Sequence, residues 1–591
     1  MTGTMTAPAT RSRARDAAVA VATETLLNCY LREGGAWRAV GAAELPEIAR
    51  PGDTHVALLP IGDATLHVGV RYLSATHRHR FRTPVTIAAG GERPAPLDFA
   101  ELARMLVGAL GDGSDAGPVL ERIAASAETV ASFLAARDAE VESLWSAAPL
   151  RFADSEGALL LGHMLHPTPK SRCEMSATAI AAYSPELAAR FRLHWLSVDA
   201  GVVEHDSATG TPATELAARL LGGEHAQGGR VLVPAHPWQL AYLREHDPAV
   251  AALMRAGTIA DLGPLGDEVT ATTSLRTVHN PGWAHQLKFS LHVRVTNSLR
   301  VTLPKELRRG VEAARLLQTA VGERAAQIAP QFTMLQDPAH LAIRHEGRIV
   351  DGLSVILREN RWQTGSEADV SALTTLCQDH PYGGRSRLGQ IVAAIAQRSG
   401  SGEPAVARAW FQRYCAVVVV PLVRLYLELG LCMEPHAQNV LLELDQGWPV
   451  RGVYRDSQGY FHREAAHADL CAIVPGIGEL SESIFPEALA DERLVYYPFL
   501  NNALGVVNAL GAAGCCEERL LLGDLRALLE RERERGGRYP ATLLDRLLDD
   551  DSWPCKANLR TRIDDLDELA GEIESQSVYV TIPNPLRSAS R

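Results

Sequence analysis

Four stretches of the chain carry side chains whose types and spacing suit a polyanion and a carboxylate. In GHMLHPTPKSR (162–172), His163, His166, Lys170 and Arg172 share a loop interrupted by Pro167 and Pro169. Donors packed that densely can clamp phosphate oxygens, although a solvated basic loop would read the same way. Two histidines three apart with no Cys or carboxylate beside them are a poor zinc set. In TTSLRTVHNP (272–281), Ser274, Arg276 and Thr277 offer two hydroxyls and a guanidinium. That is again phosphate chemistry, or equally the polar face of a strand.

The third stretch is KFSLHVRVTNSLRVTLPK (288–305). Phe289, Leu291, Val293 and Val295 alternate with Lys288, Ser290, His292, Arg294 and Thr296. A period of two predicts a strand with one core face and one cationic face. The polar phase runs on to Ser298 and Arg300. A straight strand from 288 to 300 would cover about 40 Å, longer than a nucleotide. Either the chain bends at 296–298, or Lys288 and Arg300 serve opposite ends of a site.

The fourth is MEPHAQNVLLELDQGWPVRGVYRDSQG (433–459). Glu434, His436 and Asn439 precede one strand, Asp456 ends its partner, and Gly447 sits in the turn between them. A hairpin brings its two open ends together, so Asn439 and Asp456 are expected to meet. Protein kinases present an Asn and an Asp to Mg²⁺ from a similar layout, and oxygen ligands suit a hard cation delivered with nucleotide phosphates. A kinase Gly-rich loop and a V-A-I-K strand are both missing, so the parallel is mechanical. An ion pair between Asp456 and an arginine is the alternative.

Only four of the 58 basic residues are lysines: Lys170, Lys288, Lys305 and Lys556. Such scarcity fits a GC-rich genome in which arginine has replaced lysine wherever a solvated charge suffices. The survivors mark places where a compact ammonium matters, and all four are site candidates.

These side chains need a large scaffold. At 591 residues, 46% hydrophobic and 22% charged, the chain is an ordinary globular protein of several domains. A net charge of -12 argues against nucleic acid or an anionic membrane as partner. Nine cysteines without a C-x-x-C pair suggest reduced thiols and a cytoplasmic location. The apolar run at 415–432 contains Pro421, Arg424 and Glu428 and reads as a buried helix. Residues 1–150 are expected to form a first, mixed domain. Its N-terminal 15 or so residues are expected to be disordered, a hairpin is expected around Gly62, and HRHRFR (77–82) is expected as a solvated strand edge. Residues 151–350 carry more strand signals. Beyond 350 the chain turns mainly helical, at 386–398, 405–430, 483–512 and 517–548.

Taken in order, GHMLHPTPKSR, VPAHPWQ, TSLRT, the K-x₇-T-x₃-R run, EPHAQN and RDSQG resemble the IucA/IucC-type siderophore synthetases, which work independently of non-ribosomal peptide synthetases. The resemblance spans about residues 20–580. It implies an α+β, three-part hand-like fold: a thumb (1–150), fingers with ATP-binding strands (151–350) and a mainly helical palm with the kinase-like hairpin (351–591). It implies ATP and Mg²⁺, adenylation of a carboxylate, most often citrate, and transfer of the acyl group to an amine or alcohol. Matching motif positions puts ATP on His163, Lys170, Ser274, Arg276, Thr277 and Lys288. The metal falls to Glu434, Asn439 and Asp456, and the carboxylate chemistry to Thr296, Arg300, His436 and Lys556. Met164 and Glu174 depart from the family loop G-H-P-x-H-P-x-x-K-x-R-x-G, and Ser457 stands where a bulkier residue is common. The expected partners are the small-molecule substrates, and the expected assembly is a homodimer. A kinase-like phosphotransferase and a non-catalytic ATP- or citrate-binding module are the rival readings.

Overall fold

The computed structural model describes residues 8–89, 92–111, 115–222, 228–366, 368–568 and 577–588. The first unit is a six-stranded antiparallel sheet covered by helices. Its central hairpin, His55–Ile61 with Ala64–Tyr72, turns at Gly62, whose φ of 59° lies in the left-handed region glycine adopts without strain. Leu59, Leu66 and Val68 pack on Leu26, Leu27 and Leu106, and Leu559 from the far end of the chain joins the same core.

Two expectations for this unit are corrected. A helix runs through Pro8–Arg32, so the segment from Pro8 onward that was expected to be disordered is regular. Ala14, Ala17 and Ala18 bury against Val130, Phe133 and Leu134, and Arg13 lies 3.7 Å over the Tyr382 ring. The first seven residues lie outside the described ones. The basic stretch 77–82 is not a solvated edge: Arg78 and His79 are buried, and Arg78 and Arg80 both pair with Asp379.

The second unit is an eight-stranded sheet. Its order is Val203–Ser207, Ala339–His345, Arg348–Glu359, His285–Phe289, Thr277–His279, Ile259–Ala271, Arg190–Asp199 and Arg230–Ala235, antiparallel throughout. Trp195, Leu287 and Leu341 lie in its core. The boundary expected at residue 350 falls inside Arg348–Glu359, a strand in the middle of this sheet.

The third unit joins a four-stranded sheet to the largest helical core of the protein. Val440–Asp445 and Trp448–Tyr454 form the expected hairpin, with Val440 opposite Tyr454. The helical stretch Glu403–Leu429 is, among the described residues, the one long and apolar enough to cross a membrane. Here it is a core element: Trp410, Phe411, Val418 and Leu425 are fully buried. Helix Glu487–Leu494 runs into a π-helical segment, Val495–Ala503, with Pro498 inside it. Proline has no N–H for the helical ladder, and the widened turn re-aims the side chains around it. A final strand pair, Ser552–Lys556 with Tyr579–Pro583, crosses the end of this bundle.

Asp379 ties the first unit to the third. Its carboxylate faces the guanidiniums of buried Arg78 and half-buried Arg80; Arg80 also pairs with Glu24 (2.8 Å), so removing the Asp379 charge leaves Arg78 uncompensated. Asp379→Asn is expected to cost about 3–5 kcal/mol of stability, read as a lowered urea-unfolding midpoint. An unchanged midpoint would show that Arg78 finds another partner.

Candidate active site

All thirteen side chains that the resemblance assigns to ATP, the metal and the carboxylate line one cavity of about 280 Å³. They reach it from the loop 162–172 and from the second and third units. Leu275 (φ 67°) and Thr296 (φ 58°) mark the two backbone turns that make this possible. At the first, the Thr277 N–H donates to Ser274 Oγ (3.2 Å), closing a tight turn that presents Arg276. At the second, the chain leaves the sheet after Phe289 and folds back as the short pair Arg294–Val295 and Ser298–Leu299. The chain therefore bends, and Lys288 and Arg300 line the same cavity rather than standing 40 Å apart as a straight strand would set them.

Charge dominates the wall. Ten Lys and Arg side chains line it against four carboxylates: Glu306, Glu434, Asp456 and Glu568. Arg276 donates to Gln458 Oε1 (2.8 Å), Thr302 Oγ1 (3.2 Å) and the Arg300 carbonyl (3.3 Å). Arg300 donates to the Val295 carbonyl (2.8 Å) and Thr296 Oγ1 (2.9 Å), and among the described residues its Nε is buried without a partner. Neither guanidinium forms a carboxylate ion pair among the described residues. Burial, and then the neighbouring Arg276, push Arg300 down to about 10. Such a pair of guanidiniums takes an anion readily.

Asp456, in a left-handed conformation (φ 94°), is a second hub of the wall. It pairs with Lys288 and lies 3.4 Å from Arg358 Nη2. Burial opposes its ionisation, but Lys288, then Arg358 and Arg276, hold the carboxyl far below the usual carboxylate range. Lys288 also donates to Gln458 Oε1 (2.6 Å), and burial pushes its ammonium down to about 8. The expected meeting of the hairpin ends is made by backbone: the Arg455 N–H donates to the Asn439 carbonyl (3.0 Å). Arg455 itself pairs with Glu156 at 2.9 Å, so it is Lys288 and Arg358 that hold Asp456. Glu434 pairs with Arg493 at 3.0 Å. Lys556 pairs with Glu568 at 2.8 Å.

Lys170 is placed differently from a free phosphate clamp. Its ammonium donates to the Leu159 carbonyl (2.7 Å) and to Glu186, which also accepts from Arg172 (2.8 and 3.0 Å). Burial resists charge on Glu186, but Arg172 and Lys170 hold it at about 2. Lys170 thus shapes the wall through a buried ion triad. The three histidines are neutral: burial pushes His163 to about 4 and His166 and His436 to about 3, with nearby cations adding to the shift for His163 and His436. The Thr168 N–H donates to His166 Nδ1 (3.1 Å), which leaves the ring proton on Nε2, facing Asn297 Oδ1 at 2.9 Å.

Several lining residues escaped the sequence reading. Gln458 joins Arg276 to Lys288 with one amide oxygen, and an uncharged residue inside RDSQG drew no weight. Arg358 pairs with Asp337 (2.6 and 2.9 Å) at the end of an apolar strand. A lone Arg ending the run GLSVIL was the available signal. Tyr496, Tyr497 and Asn501 come from the π-helical segment around Pro498. Arg309 holds the Gln458 carbonyl at 2.6 Å.

The IucA / IucC family model matches residues 151–378, and a second model, described as ferric iron reductase FhuF-like transporter, matches residues 408–571. The chain is 36% identical to the rhizobactin siderophore biosynthesis protein RhbC of Rhizobium meliloti, over 96% of this chain and 97% of that one. It is 32% identical to the spermidine-citrate ligase of Bacillus anthracis, over 95% and 96%. The ATP-bound aerobactin synthetase IucA of Klebsiella pneumoniae superimposes with a TM-score of 0.85 at 30% identity, covering 96% of this chain and 99% of that one. With such likeness along nearly its whole length, the chain belongs to the IucA/IucC family of siderophore synthetases.

Proposed function

We propose that the cavity binds ATP beside a citrate-like carboxylate, adenylates the carboxylate, and passes the acyl group to an amine or alcohol. The excess of buried cations carries this reading. Two guanidiniums without carboxylate partners, beside Lys288 and Lys556, suit two anions held close together. A carboxylate oxygen attacks the α-phosphorus, the bond to the β-phosphate oxygen breaks, and pyrophosphate leaves. The acceptor then attacks the acyl carbon and AMP departs. Both steps depend chiefly on positioning and on charge stabilisation in a cleft screened from water.

Each predicted residue takes a role within that reading. Ser274, Arg276, Thr277 and Lys288 hold phosphate oxygens, with His163 and the Lys170 loop forming the adjoining wall. Arg300, oriented by Thr296, forks onto a substrate carboxylate. His436, neutral, hydrogen-bonds a carboxyl group rather than adding charge. Lys556 closes the far side. Glu434, Asn439 and Asp456 offer two carboxylates and an amide oxygen, a donor set that fits Mg²⁺. The surrounding cations mean that such an ion would arrive with the phosphates it neutralises; bound there, Mg²⁺ would offset charge on the pyrophosphate leaving group. The nine cysteines are free, which supports the cytoplasm as the compartment. The names of the relatives support citrate as the carboxylate and an amine as the acceptor.

Three outcomes follow. With citrate, Mg²⁺ and a panel of polyamines and amino alcohols, ATP should yield AMP and pyrophosphate; accumulation of ADP would instead favour the kinase-like reading that the Asn439–Asp456 hairpin invites. Arg300→Lys keeps the charge but loses the planar fork, so kcat/KM for citrate should fall at least about 100-fold with a smaller change in KM for ATP. Near-normal turnover would remove Arg300 from the carboxylate site. Asp456→Asn fits the left-handed backbone but loses the charge that faces Lys288 and Arg358. Leaving Lys288 unpaired should itself cost about 3–5 kcal/mol of stability, but adenylation per folded molecule should fall by orders of magnitude, and added Mn²⁺ should recover part of the rate. A large drop in melting temperature with specific activity retained would make Asp456 a structural ion-pair member only.

A further inference from the structure

A second cluster of chemically able side chains lies away from the cavity, on the helix Glu464–Cys471 and the loop that follows. His467 and Cys471 stand four apart on that helix, hence on one face. The ring of His467 approaches the thiol, with Nε2 3.4 Å from Cys471 Sγ. Glu479 returns from the loop so that one ligand atom each of His467, Cys471 and Glu479 lies within 4.8 Å of the other two. On the other side of the ring, His467 Nδ1 is 3.1 Å from Nε2 of His462, and the two imidazoles stack with an interplanar angle of 9°.

We propose that His467 Nε2, Cys471 Sγ and a Glu479 carboxylate oxygen bind a divalent transition-metal ion of the zinc type. Four observations support the assignment. The donor set of imidazole, thiolate and carboxylate is borderline-soft, which suits Zn²⁺ and not Mg²⁺. In tetrahedral coordination with Zn–N and Zn–S bonds of about 2.0–2.3 Å, neighbouring ligand atoms sit roughly 3.3–3.8 Å apart, and the 3.4 Å N–S separation already falls there.

His462 supplies what a ligating imidazole normally has behind it. It is fully buried and placed to accept the Nδ1–H of His467, fixing the tautomer that leaves Nε2 free for the metal. Its own Nδ1 is buried with no hydrogen-bond partner among the described residues.

The loop is also shaped for this approach. Gly476 and Gly478 have φ of 75° and 85°, and a Cβ at Gly478 would lie 2.6 Å from His462 Cε1. Any side chain there would push the loop off the histidine pair and carry Glu479 away. Three protein ligands leave a fourth position for water. Binding displaces the Cys471 thiol proton to solvent, one per ion.

The site would brace the active centre from behind. The same loop continues to Ser481, whose carbonyl accepts from Arg309 (2.7 Å), and Arg309 in turn holds the Gln458 carbonyl.

The test uses the full-length protein, stripped with a chelator and titrated with ZnCl₂ alone against a chromophoric competitor, then with CoCl₂. One equivalent of zinc should bind with sub-micromolar affinity, and cobalt should give a thiolate charge-transfer band. Cys471→Ser should abolish the band, and both it and His467→Ala should weaken zinc binding at least about 100-fold. Glu479→Gln, on an exposed side chain that cannot threaten the fold, should weaken it about 10-fold. His462→Gln should weaken it while leaving the cobalt band in place. Absence of a stoichiometric zinc site in the wild-type protein, or zinc affinity unchanged in both Cys471→Ser and Glu479→Gln, would overturn the assignment.

Discussion

Everything in this molecule that bears on chemistry depends on keeping several cations out of bulk water without neutralising them. A buried guanidinium that lacks a carboxylate is expensive unless its donors are met. Here they are met largely by uncharged acceptors. Arg276 spends its hydrogens on Gln458, Thr302 and a carbonyl, Arg300 on a carbonyl and Thr296, and Arg309 on the carbonyls of Ser481, Gln458 and Glu482. Neutral acceptors orient a cation but leave its field intact, so the charge stays available to an incoming polyanion. The other seven lining cations do have carboxylate partners, among them Lys288 with Asp456, Arg358 with Asp337, Arg493 with Glu434 and Lys556 with Glu568.

This requirement explains why the wall is assembled from so many places. No single strand or helix could offer enough carbonyls and amides in the right directions. The eight-stranded sheet supplies Arg276, Lys288 and Arg358, the hairpin after Asn439 supplies Asp456 and Gln458, and the π-helical segment around Pro498 supplies Tyr497 and Asn501. The strained turns at Leu275, Thr296 and Asp456 cluster here for the same reason. Each re-aims a side chain that regular structure would point elsewhere.

Much of this was legible in the sequence because charge and periodicity survive translation into linear text. The period-two run from Lys288, the hairpin signalled by Gly447, and the isolated lysines all point to residues on the cavity wall. The rest was not legible, for physical reasons. Gln458 acts through an amide oxygen, and nothing in its type separates it from a surface glutamine. Arg358 is one arginine in a chain that uses arginine for nearly all its positive charge. Lys170 was readable as a cation, but its commitment to Glu186 is a contact sixteen residues away that no spacing rule announces. The basic stretch 77–82 looked solvated because its counter-charge, Asp379, lies about half the chain away. At the N-terminus, alanines at helical spacing were overshadowed by the arginines among them, and the burial of Ala14, Ala17 and Ala18 decided the matter.

The last strand pair has a consequence for how the protein comes into being. Lys556 and Glu568 belong to the cavity wall, and Leu559 and Arg560 just beyond Lys556 donate their backbone N–H groups to Glu33, near the start of the chain (2.9 and 2.8 Å). During synthesis the first unit must therefore wait for residues 559–560, more than five hundred residues later, before this seam can close. A nascent chain that has not yet reached Lys556 and Glu568 lacks one wall of the cleft, and a premature stop before those two residues removes that wall.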